Sequence, residues 1–186
     1  MLRTTLFLET WLHRISGLAG LLAGVALVAM VMLVFGNVVA RYAFGFGAVW
    51  AQELEWYLLA FSAMLGIAYA MRNDDHVRVD IISHRFNRTG TLWLNFLTAL
   101  LVALPCAALI IYFGYPFAES SFVRGERSPN SSGLPWRFIP KALVVVGFVF
   151  VAIEALAQTL TNGRKLVYHY HALWLQRSQA AALKGA

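Results

Sequence analysis

The sequence predicts an all-α integral membrane protein with four transmembrane helices and with both termini in the cytoplasm. Apolar residues make up 60% of its 186 residues and charged residues only 13%, whereas average soluble domains have roughly 45–50% and about 25%. The charges lie between four long apolar runs, and a helix needs ~20 such residues to cross a bilayer. We therefore expect one membrane domain that covers residues 1–186.

The apolar runs place the four spans at about residues 15–36, 50–71, 92–114 and 140–161. The first run, uncharged from Ile15 to Ala40, is too long for the apolar core of a secretory signal peptide, so we expect a retained helix. Pro140 opens the fourth span, where its missing N–H costs little. Pro105, inside the third span, predicts a kink. The connecting segments are then about 37–49, 72–91 and 115–139, followed by a tail at 162–186.

Basic residues are distributed unequally between the two sides of this arrangement. Ten lie in the N-terminal segment, the middle loop and the tail: Arg3, Arg14, Arg72, Arg78, Arg85, Arg88, Arg164, Lys165, Arg177 and Lys184. Five lie on the other side: Arg41, Arg124, Arg127, Arg137 and Lys141. Because cytoplasmic loops carry the excess of Lys and Arg, we expect both termini and loop 72–91 to be cytoplasmic, and loops 37–49 and 115–139 to be periplasmic. Basic residues beside apolar runs suit lipid headgroups and not a nucleic-acid site.

The N-terminal segment and the single cysteine allow only limited predictions. The first 14 residues mix Leu2, Leu6 and Trp11 with charged residues, which predicts either an amphipathic helix on the inner leaflet or an extension of the first span. The single cysteine, Cys106, lies in an apolar run and excludes an intrachain disulfide. We expect it to be a small buried apolar side chain.

No residue pattern indicates catalysis, a metal site or a cofactor, so we expect no enzyme activity. A b-type haem in the bilayer needs axial ligands within the spans, and all five histidines lie outside the predicted span cores: His13, His76, His84, His169 and His171. A haem-free membrane anchor of a redox enzyme remains the alternative function. A small transporter acting alone is a third possibility, which the apolar span centres disfavour.

Several polar residues stand out against this apolar background. Glu154 is the one internal charge of the fourth span; a carboxylate there is costly, so we expect either structural pairing within the chain or contact with another subunit. Arg41 and Glu53 lie at the periplasmic ends of adjacent helices and could pair. Arg72 ends the second span, where a cation complements the helix dipole. His76, Arg78 and Asp80 form a compact polar group directly after it.

These residues occur in an ordered set of motifs. The set reads Asn37-x-x-x-Arg41-Tyr42, Trp50-x-x-Glu53-Leu54, Gly66 followed six residues later by Arg72, His76-x-Arg78-x-Asp80, and Gly133-Leu134-Pro135-Trp136 before the fourth span. It resembles the small permease subunit of tripartite ATP-independent periplasmic (TRAP) transporters, the DctQ-like family. The hydropathy pattern resembles that of the family over the whole chain, and the motifs account for about 45 residues.

The resemblance implies a non-enzymatic membrane subunit of the bacterial inner membrane. In such systems a periplasmic binding protein delivers a solute, typically a carboxylate, and a large permease subunit carries it by a sodium-driven elevator motion. The small subunit would be a scaffold for the large one, embedded among membrane lipids, with sodium ions bound in the large subunit and no cofactor in this chain.

The same resemblance suggests roles for named residues. We expect structural or partner-interface roles for Arg41, Glu53, Arg72, His76, Arg78, Asp80 and Glu154. We expect Arg124, Arg127, Asn130 and Arg137 to form a periplasmic docking surface for the binding protein.

Overall fold

The computed structural model describes residues 2–73 and 87–184, in which the regular secondary structure is helical and no β-strand occurs. The helices are α1 (Leu2–Phe44), α2 (Val49–Arg72), α3 (Arg88–Leu97), α4 (Leu104–Val123) and α5 (Phe138–Lys184). A π-helical segment, Thr98–Ala103, joins α3 and α4 into one continuous rod. Four stretches are long and apolar enough to cross a membrane: Thr10–Phe44, Val49–Arg72, Thr89–Val123 and Phe138–Gln176. The predicted four-helix membrane fold is confirmed.

The first helix continues without a break from Leu2 into the membrane span, so the N-terminal segment extends that span and is not a separate surface helix. It ends at Gly45, whose φ of 66° is a left-handed conformation that glycine adopts without a steric penalty. The Gly45 N–H donates to the Arg41 carbonyl at 3.2 Å, which caps the helix end. A short turn then leads into α2.

Where a kink is predicted at Pro105, the structure has a π-helical segment directly before the proline. In a regular helix the Pro105 ring would clash with the carbonyl of Leu101, and the missing N–H would leave that carbonyl without its usual partner. Directly before the proline, the Leu104 N–H instead bonds to the Ala99 carbonyl, five residues back. The wider π turn therefore accommodates the proline inside a continuous helix.

The last helix is the central element of the bundle. α5 packs against α1, α2 and the α3–α4 rod, and α1 also packs along α2. Small residues fill the interior: Ala68, Ala107 and Val151 bring α2, α4 and α5 together. At Gly147 of α5, a Cβ would lie only 3.0 Å from the Met64 carbonyl oxygen of α2. Such close backbone contact is how small residues stabilise helix pairs in lipid.

The bundle has two ends, which we name by what they contain. The loop end contains the turn after α1 and residues 124–137 between α4 and α5. The termini end contains the start of α1 and the ends of α2 and α5.

Large apolar side chains cover the outside of the bundle, as the lipid-facing surface of a membrane protein requires. Leu21, Met32 and Phe35 of α1 are each about two-thirds exposed. Cys106 is also exposed, so its predicted burial is wrong. The reason is helical geometry: its neighbour Ala107 is fully buried against the bundle, and the adjacent position therefore faces outward.

Candidate functional site

At the loop end, Glu53 of α2 anchors the loop that joins α4 to α5. Its Oε1 accepts hydrogen bonds from the Ser128 hydroxyl and from Asn130 Nδ2, the latter at 3.0 Å. Its Oε2 accepts the backbone N–H of Leu134 at 2.6 Å. Hydrogen bonds to a carboxylate are stronger than those between neutral groups. These four residues, the Glu53 cluster, fix the middle of the loop to α2.

The ion pair suggested by the sequence between Arg41 and Glu53 is not formed in the described part of the chain. Both oxygens of Glu53 are taken by donors from the loop. The Arg41 guanidinium lies instead against the turn after α1, where a Cβ on Gly47 would be 3.3 Å from its Nε. The sequence did not show that a loop 75 residues further along the chain returns to Glu53.

A second carboxylate, Glu126, fixes the start of the same loop. Its Oε2 accepts the Ser121 hydroxyl at 2.6 Å and the Lys141 ammonium at 2.5 Å. The bond from Lys141 and then that from Ser121 lower the pKa of the Glu126 carboxyl below its ordinary value. Neither Glu126 nor Lys141 was predicted from the sequence as a site residue.

The backbone before Glu126 explains why this side chain is placed there. Gly125 has a φ of 57° and donates its N–H to the Phe122 carbonyl at 3.0 Å. The Glu126 N–H donates to the Ser121 carbonyl at 3.1 Å. This pair of bonds is a Schellman motif, which ends α4 and reverses the chain. A glycine after an apolar helical run was the available sequence signal.

The predicted docking residues lie on this ordered loop. The side chains of Arg124, Arg127 and Arg137 are all exposed, as is Asn130. Arg124 donates to the Ser120 hydroxyl at 3.1 Å, and Asn130 contributes its amide to the Glu53 cluster. Glu53 and Glu126 accept hydrogen bonds from other groups of the chain, and the three arginines of the loop face outward.

At the termini end, Glu154 of α5 is completely buried. Its Oε2 accepts the Ser16 hydroxyl of α1 at 2.6 Å. Its Oε1 lies 3.2 Å from His13 Nδ1, although the angle is not that of a hydrogen bond. This contact is attractive when the imidazole is protonated. The three residues, the Glu154 cluster, attach the start of α1 to α5.

Glu154 thus bonds within the chain, and the other role expected for it, contact with another subunit, stays a prediction. Ser16 and His13 were not predicted from the sequence as partners of Glu154. They are three residues apart in a helix and so share one face, which was the available signal. The spacing of residues along the sequence could not show that Glu154 of α5 is their partner.

Arg72 lies at the end of α2, and its guanidinium covers Gly17 of α1. One turn earlier, the Tyr69 ring covers Gly20, and Gln158 of α5 donates its side-chain amide to the Met71 carbonyl. Arg72 therefore packs across the α1–α2 contact. The remaining predicted residues of this region, His76, Arg78 and Asp80, lie outside the described residues.

An open apolar groove of about 600 Å³ runs along α1 beside Tyr69. It is lined by Gly17, Gly20, Leu21, Gly24, Val25, Val28 and Tyr69. Gly24 opens onto free space, because a Cβ there would meet no atom within 4 Å.

Over residues 2–73 and 87–184, no group of three or more His, Cys, Asp or Glu side chains could hold a metal ion.

Comparison with known proteins identifies the family. Residues 30–164 match the family described as "Tripartite ATP-independent periplasmic transporters, DctQ component". The chain belongs to this family. The matched region includes the whole Glu53 cluster and Glu154, and it begins after His13 and Ser16. The resemblance inferred from the ordered motifs is thereby confirmed.

Individual relatives agree with this assignment. The chain is 30% identical over 131 residues to a TRAP transporter small permease protein of Haemophilus influenzae, covering 68% of this chain and 76% of that protein. It is 26% identical over 151 residues to the C4-dicarboxylate TRAP transporter small permease protein DctQ of Vibrio cholerae, covering 69% and 63%. The chain is thus a small permease subunit of a TRAP transporter, a multi-pass membrane protein and not an enzyme.

A third relative is much longer than this chain. The sialic acid TRAP transporter permease protein SiaT, from another strain of Haemophilus influenzae, is 27% identical over 144 residues. The match covers 77% of this chain and 23% of SiaT. A segment similar to this small subunit therefore occurs within a larger permease polypeptide.

Proposed function

We propose that this small permease subunit is a fixed scaffold for a large permease subunit in the bacterial inner membrane. The complex would take up a carboxylate-type solute, coupled to sodium entry and delivered by a periplasmic binding protein. One observation carries the scaffold role: the buried or anchoring carboxylates Glu53, Glu126 and Glu154 are all bonded to groups of this chain. They stabilise the bundle, and most outward-facing side chains of the spans are apolar.

The apolar surface supports a partner within the bilayer. A transport site normally shows ionisable side chains or broken helices near the bilayer midplane, and the carboxylate within the fourth span, Glu154, has its partners on α1. Solute and sodium would then be bound by the large subunit, and this chain would hold no cofactor. The similarity to part of the longer SiaT permease supports function beside a larger permease. Sialic acid and C4-dicarboxylates, named for two relatives, are carboxylates.

The orientation follows from the unequal distribution of basic residues, which favours a cytoplasmic termini end. The loop end would then face the periplasm, with Arg124, Arg127 and Arg137 exposed on a loop that two carboxylates fix in place. Such an ordered basic surface suits docking of a binding protein. Reporter fusions to the C-terminus test this orientation.

Co-purification tests the scaffold role. The chain is expressed with the proteins encoded beside it, purified by a tag in mild detergent and analysed by mass spectrometry. We expect a large permease subunit to be retained, and we expect solute uptake into proteoliposomes to require both subunits. Uptake at full rate by the large subunit alone would refute the scaffold role, and retention of a flavin or iron–sulfur subunit would favour a redox anchor.

Two matched glycine variants locate the contact with the large subunit. Neither Gly24 nor Gly36 of α1 has an atom within 4 Å of a Cβ built on it, so Leu fits at both within this chain. We expect Gly24→Leu, which fills the groove, to reduce retention of the large subunit, and Gly36→Leu to leave it unchanged. Equal retention by the two variants would exclude the groove as the contact.

A further inference from the structure

Glu154 of α5 and His13 of α1 form an ionisable pair inside the termini end of the bundle. The Glu154 side chain is fully buried, and the His13 side chain is 29% exposed. Their facing atoms, Oε1 and Nδ1, lie 3.2 Å apart. Neither atom has a hydrogen-bond partner within residues 2–73 and 87–184. Because an ionisable side chain within a membrane span is costly, such a residue is a candidate for a functional site.

The hydrogen bond from Ser16 leaves half of the buried carboxylate without a partner. The Ser16 hydroxyl donates to Oε2 of Glu154 at 2.6 Å, whereas Oε1 accepts no hydrogen bond from the described part of the chain. A carboxylate removed from water is stable only when its charge is paired and its oxygens are bonded, or when it is neutralised by a proton. Oε1 therefore marks an incomplete site.

The geometry at Oε1 makes the contact with His13 depend on charge. The angle between the imidazole and Oε1 is not that of a hydrogen bond, so a neutral imidazole with its hydrogen on Nδ1 does not satisfy Oε1. A protonated imidazole attracts the carboxylate through its positive charge, and this attraction does not require a particular angle. The partly exposed ring of His13 also gives a proton access from solvent. Histidine is the side chain that ordinarily changes charge between about pH 5 and 8.

The neighbouring charges described by the structure do not change over this pH range. Arg14 follows His13 on α1 and is exposed, and the Arg72 guanidinium of α2 lies against α1 one turn further along. On α5 the nearest following charged residue is Arg164. Arginine stays protonated in proteins. From α2, Tyr69 places ring carbons against α1. A change of charge in this range therefore comes from the pair itself.

We propose that His13 and Glu154 form a proton-binding site that attaches the start of α1 to α5. With the proton bound, the imidazolium and the carboxylate attract each other across the two helices. When the pH rises and the proton leaves, the buried carboxylate keeps its bond from Ser16 and loses its compensating charge. The attachment is therefore strong in mild acid and weaker in alkaline solution. This inference does not depend on the scaffold role or on the orientation of the chain.

Hydrogen exchange of the full chain in mild detergent tests the proposal. Amide exchange of residues 10–20 is measured between about pH 5.5 and 8.5, which includes the range in which histidine changes charge. Each rate is divided by the rate of an unstructured peptide at the same pH, which gives a protection factor. An average interhelical polar contact in a membrane corresponds to roughly threefold in an equilibrium constant. We therefore expect the protection factors to fall by roughly threefold as the pH rises.

Four variants separate the effect of charge from that of packing. We expect His13→Lys, which keeps a positive charge, to remain protected at both ends of the pH range. We expect His13→Asn to have low protection at both ends. Glu154→Gln retains an acceptor for Ser16 without a buried charge, so its protection should not respond to pH. The control is His171→Asn, because His171 is exposed on α5, and this variant should respond like the wild type.

Several results would overturn the proposal. Wild-type protection of residues 10–20 could be independent of pH, or His13→Asn or Glu154→Gln could keep the wild-type response. Equal protection of His13→Lys and His13→Asn would show that the charge does not attach the helices. Loss of the wild-type response on addition of a chelator would show that a metal ion, and not a proton, occupies the site.

Discussion

The buried carboxylate of Glu154 provides a quantitative test of how α1 is attached to the bundle. Glu154 accepts the Ser16 hydroxyl at 2.6 Å and is fully buried. A hydrogen bond to a charged group contributes about 1.5–3 kcal/mol in soluble proteins, and interhelical hydrogen bonds in membranes average about 0.6 kcal/mol. The Leu12 carbonyl, 3.3 Å from the Ser16 hydroxyl, is an alternative acceptor. We therefore expect a Ser16–Glu154 coupling of about 1 kcal/mol, between these two ranges.

A double-mutant cycle measures this coupling. The free energy of unfolding is determined by detergent titration for the wild-type chain, Ser16→Ala, Glu154→Ala and the double variant. The control cycle pairs Ser16→Ala with Glu119→Ala, because Glu119 is exposed on α4 and distant sites are additive within about 0.5 kcal/mol. A Ser16–Glu154 coupling no larger than that of the control would show that the contact does not stabilise the bundle.

Three further predictions concern the loop end and the helix contact. Glu53→Ala leaves three donors of loop 128–134 without their acceptor, so amide hydrogen exchange in that loop should accelerate. The lowered pKa of Glu126 means that its stabilisation of the loop is present above the ordinary glutamate value of about 4.3 and is lost as pH falls through the lower folded value. Exchange at 124–127 should therefore rise in acid, and Lys141→Gln should move that rise to higher pH. Gly147→Leu should separate α2 from α5 and destabilise the protein by about 1–3 kcal/mol, the usual cost of overpacking.

Each of these predictions has a matched control. Glu119→Ala removes an exposed carboxylate and should leave exchange in loop 128–134 unchanged. Arg124→Gln removes a loop cation that does not contact Glu126 and should not move the acid transition. Gly36→Leu adds the same side chain as Gly147→Leu on an open face and should unfold like the wild type. Equal effects in test and control variants would contradict the structural explanation in each case.

The helical elements were largely predictable because hydrocarbon imposes a simple requirement on the sequence. Uncharged runs of sufficient length had to become spanning helices, and the structure contains four of them. The ends of the helices were less predictable. α1 and α5 extend past the apolar runs, since polar residues also form helices when their neighbours already do.

The polar contacts were predictable only where they are local. The cap at Gly45 and the irregularity at Pro105 each depend on a few adjacent residues. Glu53 was identified as a notable residue, but its partners lie in the loop between α4 and α5. Arg41 was suggested as its partner because both residues lie at the same end of adjacent helices. Glu154 was identified because a lone carboxylate in a span is costly, and its partner Ser16 is 138 residues away. The spacing of residues within one helix cannot show which other helix will pack against a given residue.

The positions of Glu53, Glu126 and Glu154 suggest a division of roles within this subunit. Glu53 and Glu126 fix one loop at the loop end, and Glu154 fixes α1 to α5 at the termini end. Between them, small residues bring the helices close together, and the Ser62 hydroxyl of α2 donates to the Ala23 carbonyl of α1 at 3.0 Å. The proposed scaffold role requires such an arrangement, because rigidity at both ends would maintain the shape of the apolar outer surface while the proposed large subunit moves against it. A transporting subunit would instead need polar groups that exchange partners, whereas Glu53, Glu126 and Glu154 are each bonded to groups of this chain.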